Sequence, residues 1–338
     1  MKTAFVTGVS GQDGSYLTEL LLSKGYMVYG LDRRKADASK SNISHLLSDK
    51  NLKIIDGDLL EVARILAILK NIKPDEVYHL ASQSFVKTSW DVPIYTLNVN
   101  ILGTARILEA IRIHSAESKF YFASSSEIFG EVMECPQKEL TPHNPLSPYG
   151  VSKSASHFLT RQARSDSNMF ACNGICFNHE SERRGLEFVT RKITNAVALF
   201  SQSKLDRLLL GNLDAKRDWG YAPDYVRAMW MILQHDVPDD YVICTGVEHS
   251  VREFVESAFK SVEMDIEWKG KGLDETGVCD GETVVSVSSE FYRPLDVETL
   301  CGDCSKIKEE LGWRPTVAFE EMVSRMVKND IKLISLEV

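Results

Sequence analysis

The chain has 338 residues, with 39 Lys and Arg against 48 Asp and Glu, a net charge of −9. At roughly 150 residues per domain, that is about two domains, or one large α/β unit with an added lobe. With 43% hydrophobic and 26% charged residues, the composition excludes a mainly disordered chain. The negative balance argues against nucleic acid or an acidic membrane as partner, since both select a basic face.

In chain order, Ala4–Thr7 reads as a strand and Tyr16–Leu22 as a helix with Leu17, Leu20 and Leu21 on one face. Strands are expected at Met27–Leu31, Leu52–Ile55, Val77–Ala81 and Phe120–Ala123. Helices are expected at Val62–Lys70, ending before Pro74, and at Tyr95–His114. The alternation predicts a doubly wound parallel sheet of the Rossmann type, covered on both faces. Glu134–Pro148 is a Pro-rich polar loop, followed by a helix over Tyr149–Ala163 and a strand over Ala171–Phe177. Thr190–Ser201, Pro223–Gln234 and Val251–Val262 read as helices, Lys269–Val287 as a long loop, and 305–328 as helix broken at Gly312-Trp313-Arg314-Pro315. Residues 1–178 are thus expected to bind a dinucleotide. Residues 179–338 should form a smaller, mostly helical substrate lobe, with 212–245 crossing back to the sheet.

The longest apolar runs, such as 197–200, fall far short of the roughly 18 residues of a membrane span. Met1–Gly8 lacks a small-residue cleavage site, so a buried strand is expected there rather than a signal peptide. Seven Cys, an odd and sparse count, suit reduced thiols in the cytoplasm better than a disulfide framework. The close pairs Cys301/Cys304 and Cys172/Cys176 bring no His cluster with them, and no metal site is expected.

Gly8, Gly11 and Gly14 follow the first strand at G-x-x-G-x-x-G spacing and open the first helix. Glycines here permit a tight turn and let backbone approach a pyrophosphate at a helix N-terminus. Residues 8–14 (Gly8, Val9, Ser10, Gly11, Gln12, Asp13, Gly14) are therefore candidate cofactor contacts. About twenty residues on, Asp32 suits a ribose 2′-hydroxyl and favours NAD, whereas Arg33 and Arg34 suit a 2′-phosphate. The two guanidinium groups outweigh the carboxylate, and NADP is expected ahead of NAD. Asp58 and Leu59, after the third strand, are candidates for the adenine end. Leu80, Ala81, Ser82, Gln83 and Ser84, ending the fourth, are candidates for the phosphates and ribose.

Tyr149-Gly150-Val151-Ser152-Lys153 is a Y-x-x-x-K motif, whose i,i+4 spacing puts phenol and ammonium on one helix face. A free phenol, with a pKa near 10, is only about a thousandth ionised at neutral pH. A neighbouring ammonium and a cationic nicotinamide are expected to lower that pKa and make the phenolate a base. The preceding strand ends in Ser124-Ser125-Ser126-Glu127, where the Ser125 hydroxyl can bond a substrate hydroxyl. The plain alternatives are a turn-forming glycine run and a polar strand end.

Together these motifs resemble the extended short-chain dehydrogenase/reductases. From residue 3 to about residue 318 the chain is similar to GDP-mannose 4,6-dehydratases. The resemblance rests on Gly11-Gln12-Asp13-Gly14-Ser15-Tyr16, Phe177-Asn178-His179-Glu180-Ser181, Arg183-Arg184-Gly185, Phe188–Ile193, Gly211–Gly220 and His249–Phe254. It implies internal redox: oxidation at C4 with Tyr149 as base, removal of the C5 proton by Glu127, loss of water from C6, and return of hydride to C6. Ser125, Glu127, Tyr149 and Lys153 would form the catalytic set. His179, Arg184, Arg33, Arg34, Tyr95 and Lys153 would contact the cofactor. Ser84, Glu127, Tyr149, Asn178, Lys192, Arg217 and Arg252 would hold GDP-mannose, with several cations offsetting the diphosphate. A homodimer or homotetramer is also implied.

The chain departs from the family pattern at Ser125 (usually Thr), Phe129 (Tyr), Phe85 (His), Gly150 (Ala) and Glu182 (Pro). Two rivals stay open: a reductase of the 4-keto-6-deoxy intermediate, or an enzyme performing both steps, and a non-catalytic nucleotide-binding scaffold. A base at C5 has no use in a reductase, so Glu127 favours dehydration. Intact Tyr149 and Lys153 disfavour the scaffold.

Overall fold

The computed structural model describes residues 1–33, 42–205, 207–291 and 300–336. Its centre is a parallel sheet of seven strands: β1 (Thr3–Thr7), β2 (Met27–Asp32), β3 (Leu52–Asp56), β4 (Glu76–His79), β5 (Lys119–Ser125), β6 (Ala171–Cys176) and a seventh, Asp240–Ile243. Across the sheet they run β3-β2-β1-β4-β5-β6 and then the seventh. The order reverses between β1 and β4, which opens a crevice at the carboxyl ends of the strands.

Period-two alternation sorts the strand side chains onto two faces. Ala4, Val6, Tyr78 and Tyr121 join one core cluster, with Leu17 and Leu21 of helix α1 (Gln12–Ser23) and Tyr225, Met229 and Ile232 of the helix Ala222–Gln234. Phe5, Val77, Phe120 and Phe122 join the other, with Ile65 and Leu69 of α2 (Val62–Ile72) and Ile107 and Ile111 of the helix Gly103–His114. Strands buried on both faces read as apolar runs, which made this half legible in the sequence.

A third cluster lies apart from the sheet. It packs the helices Val189–Phe200, Val251–Lys260 and Phe319–Leu336 against a four-stranded sheet. The segment 222–243 meanwhile packs with the large sheet, as do Leu300, Cys304, Ile307 and Trp313. The chain therefore passes back and forth between the two cores.

Three expectations need correction. The stretch Lys269–Val287 is not a loop. It holds strands Thr276–Cys279 and Glu282–Val287, joined through Asp280 and Gly281, both at positive φ (50° and 82°). Asp-Gly between apolar alternations is a two-residue hairpin turn whose twist suits the strands. The expected helix Tyr95–His114 is three pieces: Pro93–Leu97, a wider π-helical stretch Asn98–Leu102, and Gly103–His114. The first helix begins at Gln12, four residues earlier than its apolar periodicity indicates, inside the glycine motif.

Candidate functional site

One cavity of about 1070 Å³ runs along the crevice and out to the smaller core. Its floor is the glycine loop. Gly8 sits at φ +74°, and a Cβ there would lie 2.9 Å from the Ala81 nitrogen. A Cβ on Gly14 would lie 2.2 Å from the Gly8 carbonyl oxygen, so only glycine lets the helix start this close to the strand end. No side chain caps the helix at Gly11, which leaves its first-turn amides to meet an anion. The Thr7 hydroxyl accepts from the Leu80 and Ala81 amides at 3.2 and 3.1 Å, tying the ends of β1 and β4 together.

Asp13 and His179 lock this floor to a distant segment. The Asp13 carboxylate meets His179 Nε2 at 2.9 Å. Gln12 donates to the His179 carbonyl at 3.0 Å and accepts from Ser181 at 2.8 Å. His179 stacks on Tyr225, ring centres 4.5 Å apart. Burial pulls the imidazole pKa down, but the Asp13 carboxylate more than offsets this and holds it above its ordinary value. Burial likewise raises the Asp13 carboxyl, and His179 carries it the other way to a net lowering.

Most residues singled out for the cofactor line the cavity: Gly8, Ser10, Gly11, Gln12, Asp13, Gly14, Asp32, Arg33, Asp58, Leu59, Leu80–Ser84, Tyr95, His179 and Arg184. Val9 does not. Its side chain is fully buried beneath Gly30, where an added Cβ would strike it at 2.6 Å. Arg34 lies outside the described residues. Asp32 accepts the backbone N–H of Arg33 at 3.0 Å, while the Arg33 guanidinium reaches the Tyr95 hydroxyl at 2.8 Å.

The candidate catalytic groups meet where β5 faces the helix Pro148–Asp166. Ser147 caps that helix by accepting from the Gly150 amide at 3.0 Å, and Pro148 occupies its first turn. Ser125 ends β5 and accepts from the Glu127 amide at 3.3 Å. Gly150 lets the two elements touch: a Cβ there would lie 2.6 Å from the Glu127 carbonyl oxygen. Ser125, Glu127, Tyr149 and Lys153 all line the cavity.

Lys153 Nζ sits 5.8 Å from the Tyr149 ring centre and donates to the Ala123 carbonyl at 2.7 Å. Burial brings its pKa down to about 8. The Tyr149 phenol is raised, chiefly by burial and also by the Glu127 carboxylate. Its hydrogen bond with Ser125 and the Arg184 charge pull the other way. Within the protein alone, desolvation therefore outweighs the lowering expected from Lys153.

At the far end, Asn178, Lys192 and Arg217 line the cavity and Arg252 does not. Arg252 instead pairs with Glu275 at 2.5 Å and Asp214 at 2.8 Å, over the Trp268 ring. The Lys192 ammonium lies 3.6 Å from the Phe291 ring centre and Lys87 lies 6.0 Å from it. Lys87, Phe291, Glu290 and Trp90 are lining residues that no motif marked, whereas Phe188, also in the lining, opens the quoted Phe188–Ile193 segment. Only Lys87 carried a sequence signal, standing three residues past the flagged Ser84.

Residues 5–326 match the family model described as GDP-mannose 4,6 dehydratase. Among curated relatives, the GDP-mannose 4,6 dehydratase of Drosophila melanogaster is 49% identical over 98% of this chain and 87% of that protein. The Homo sapiens protein of the same name is 48% identical over 98% and 92%. Among solved structures, DesIV, a dTDP-glucose 4,6-dehydratase from Streptomyces venezuelae with NAD and TYD bound, superposes with a TM-score of 0.84. It is 22% identical, with 99% and 98% of the two chains covered.

Proposed function

The chain belongs to the GDP-mannose 4,6-dehydratase family, and on that premise we propose that it converts GDP-mannose to GDP-4-keto-6-deoxy-mannose and water. The observation that carries the reading is the convergence of Ser125, Glu127, Tyr149 and Lys153 on one wall of the cavity. A simple dehydrogenase uses the hydroxyl, phenol and ammonium; the added carboxylate is what elimination needs.

The crevice fits a nicotinamide dinucleotide: the uncapped helix start at Gly11 suits the pyrophosphate, and the carboxyl ends of β1 and β4 flank the rest. When bound, that group would supply the hydride acceptor for C4 and the hydride donor for C6. Tyr149 removes the O4 proton, and Ser125, bonded to the same phenol, orients the sugar hydroxyl. Lys153 holds positive charge beside the phenolate that forms. With a ketone at C4 the C5 proton is acidic, and Glu127 takes it as the C6 hydroxyl departs. Asn178, Lys192 and Arg217 would hold the diphosphate and nucleoside. Arg252 would join them only by leaving Glu275 and Asp214.

NADP fits better than NAD. Asp32 and Arg33 both line the cavity, and the Arg33 guanidinium, beside the Tyr95 hydroxyl, supplies the charge that a 2′-phosphate selects. The same reading takes 1–178 as the cofactor part, with 212–245 crossing back, and 179–338 as the sugar-nucleotide lobe. It includes a homodimer or homotetramer and residence in the cytoplasm.

The test is incubation of purified protein with GDP-mannose, followed by NMR, with and without NADPH. The 4-keto-6-deoxy product should form without added NADPH. Unchanged GDP-mannose would overturn the reading, and a 6-deoxy sugar formed only with NADPH would favour the reductase.

A further inference from the structure

Four of the seven cysteines, all free thiols, gather around one short loop, Cys301-Gly302-Asp303-Cys304. Cys244 and Cys304 form an inner pair, hydrogen-bonded to each other and 0% and 2% exposed. Gly302 is needed for that closeness, since a Cβ there would lie 2.6 Å from the Cys244 sulfur. Cys135 and Cys301 form an outer pair of neighbouring thiols, Cys135 exposed and Cys301 half-buried with its Sγ donating to the Gly246 carbonyl at 3.8 Å.

The backbone already holds the outer pair together. The Gln137 amide donates to the Cys301 carbonyl at 2.8 Å, and the Asp303 amide donates to the Gln137 carbonyl at 2.8 Å. The Gln137 side chain accepts from the Cys301 amide at 3.0 Å. Neighbouring thiols on segments already bridged by backbone hydrogen bonds are placed for cross-linking. The segments adjoin different parts of the cavity lining. The Cys135 loop leads into Ser147 and Tyr149. Leu300, beside Cys301, accepts from the Asp218 amide at 3.1 Å, between the lining residues Arg217 and Trp219.

We propose that Cys135 and Cys301 form a reversible disulfide that staples these two segments, with a small disulfide of the glutathione class as oxidant. The exposed Cys135 loses its proton and attacks one sulfur of the oxidant. An S–S bond forms, the oxidant's S–S bond breaks, and one thiol leaves. Cys301 then loses its proton and attacks the Cys135 sulfur, expelling the second thiol. Two protein thiols are oxidised and one oxidant disulfide is reduced to two thiols. Cys301 acts second because burial, with the Asp218 and Glu248 carboxylates nearby, pushes its thiol up to about 12. Its contact with Cys135 makes the second step intramolecular, which offsets the small thiolate fraction. The inner pair is closed to an oxidant of this size.

The full-length protein is incubated with oxidised glutathione, alkylated and digested without reduction. The expected product is a peptide joining Cys135 to Cys301, two hydrogens lighter than the separate thiols and cleaved by dithiothreitol. Cys135→Ser should leave no link, and in the linked wild type the Gln137 and Asp303 amides should exchange several-fold more slowly. A stable glutathione adduct on Cys135, a link between Cys244 and Cys304, no modification, or unchanged exchange in the linked protein would each overturn the proposal.

Discussion

The carboxylate of Asp13 and the imidazole of His179 stand 2.9 Å apart across 166 positions of sequence, and they join the glycine loop to the segment that begins the second half of the site. Both are largely buried, with 21% and 13% of their side chains exposed. The pair therefore works as an ion pair in a setting where charge matters.

That pair sets a pH window for stability. The His179 pKa is raised above 6.5, so its contribution is complete below the unfolded value and is lost as pH rises through the folded one. The Asp13 pKa is lowered below 3.8, so its contribution holds above that value and is lost as pH falls through the folded one. Asp13→Asn should cost about 2 kcal/mol near pH 6 and remove the decline of wild-type stability as pH rises past the ordinary imidazole value. Denaturant melts of both proteins across pH decide it; a variant that keeps the wild-type pH slope would show that the pair is idle.

In the proposed mechanism Glu127 is the base on which elimination depends. Glu127→Gln keeps the shape and removes the base, and should lower product formation by about 10²–10⁴-fold. Cofactor affinity should stay unchanged. Product NMR and cofactor titration on the same sample separate the two effects. Full activity would remove Glu127 from the mechanism.

Burial of Lys153 predicts a stability signature independent of substrate. Its pKa falls from 10.5 to about 8, so the folded state binds fewer protons than the unfolded one between those values. Wild-type stability should then gain from rising pH over about pH 8 to 10, because ∂ΔG/∂pH is positive where the unfolded chain holds more protons. Lys153→Met should lack this gain and be inactive, since no cation remains beside the Tyr149 phenolate. Parallel slopes for the two proteins would contradict the placement of Lys153.

Arg33 should decide cofactor choice. Arg33→Ala should weaken NADP binding by about tenfold or more, the size of one lost charged hydrogen bond, and leave NAD binding nearly unaltered. Fluorescence titration with both dinucleotides measures it. Equal losses for both would assign Arg33 to a shared part of the cofactor.

Gly14 tests the glycine loop itself. Gly14→Ala places a methyl 2.2 Å from the Gly8 oxygen, so the helix start must shift. Dinucleotide binding should fall by at least about tenfold while the far core, built from other segments, still folds. Undiminished binding would mean that the close approach is not what the cofactor needs.

The parts of this site that were legible in the sequence are short-range. Gly8 to Gly14, Ser125 to Glu127 and Tyr149 to Lys153 each carry their geometry within a few residues, where strand-end and helix spacing dictate which side chains share a face. The hairpin at Asp280-Gly281 was just as local, yet the glycine-rich stretch around it read as loop, because Gly270, Gly272 and Gly277 masked the strand alternation. Arg252 shows what motif likeness alone does not give. Motif likeness sent it toward a diphosphate, whereas its guanidinium lies between Glu275 and Asp214.

By itself the sequence determined six of the sheet's seven strands, all but Asp240–Ile243, together with the glycine turn, the phenol–ammonium pair and the carboxylate beside Ser125, since each depends on backbone periodicity over one element. Tertiary structure alone decided that His179 closes on Asp13, that Val9 turns into the core, that Lys87 and Phe291 join the cavity wall, and that Cys135 meets Cys301. The last pair is separated by more than 160 residues, as is the first. No periodicity spans such distances; only the packing of apolar faces into common cores brings those side chains within bonding reach.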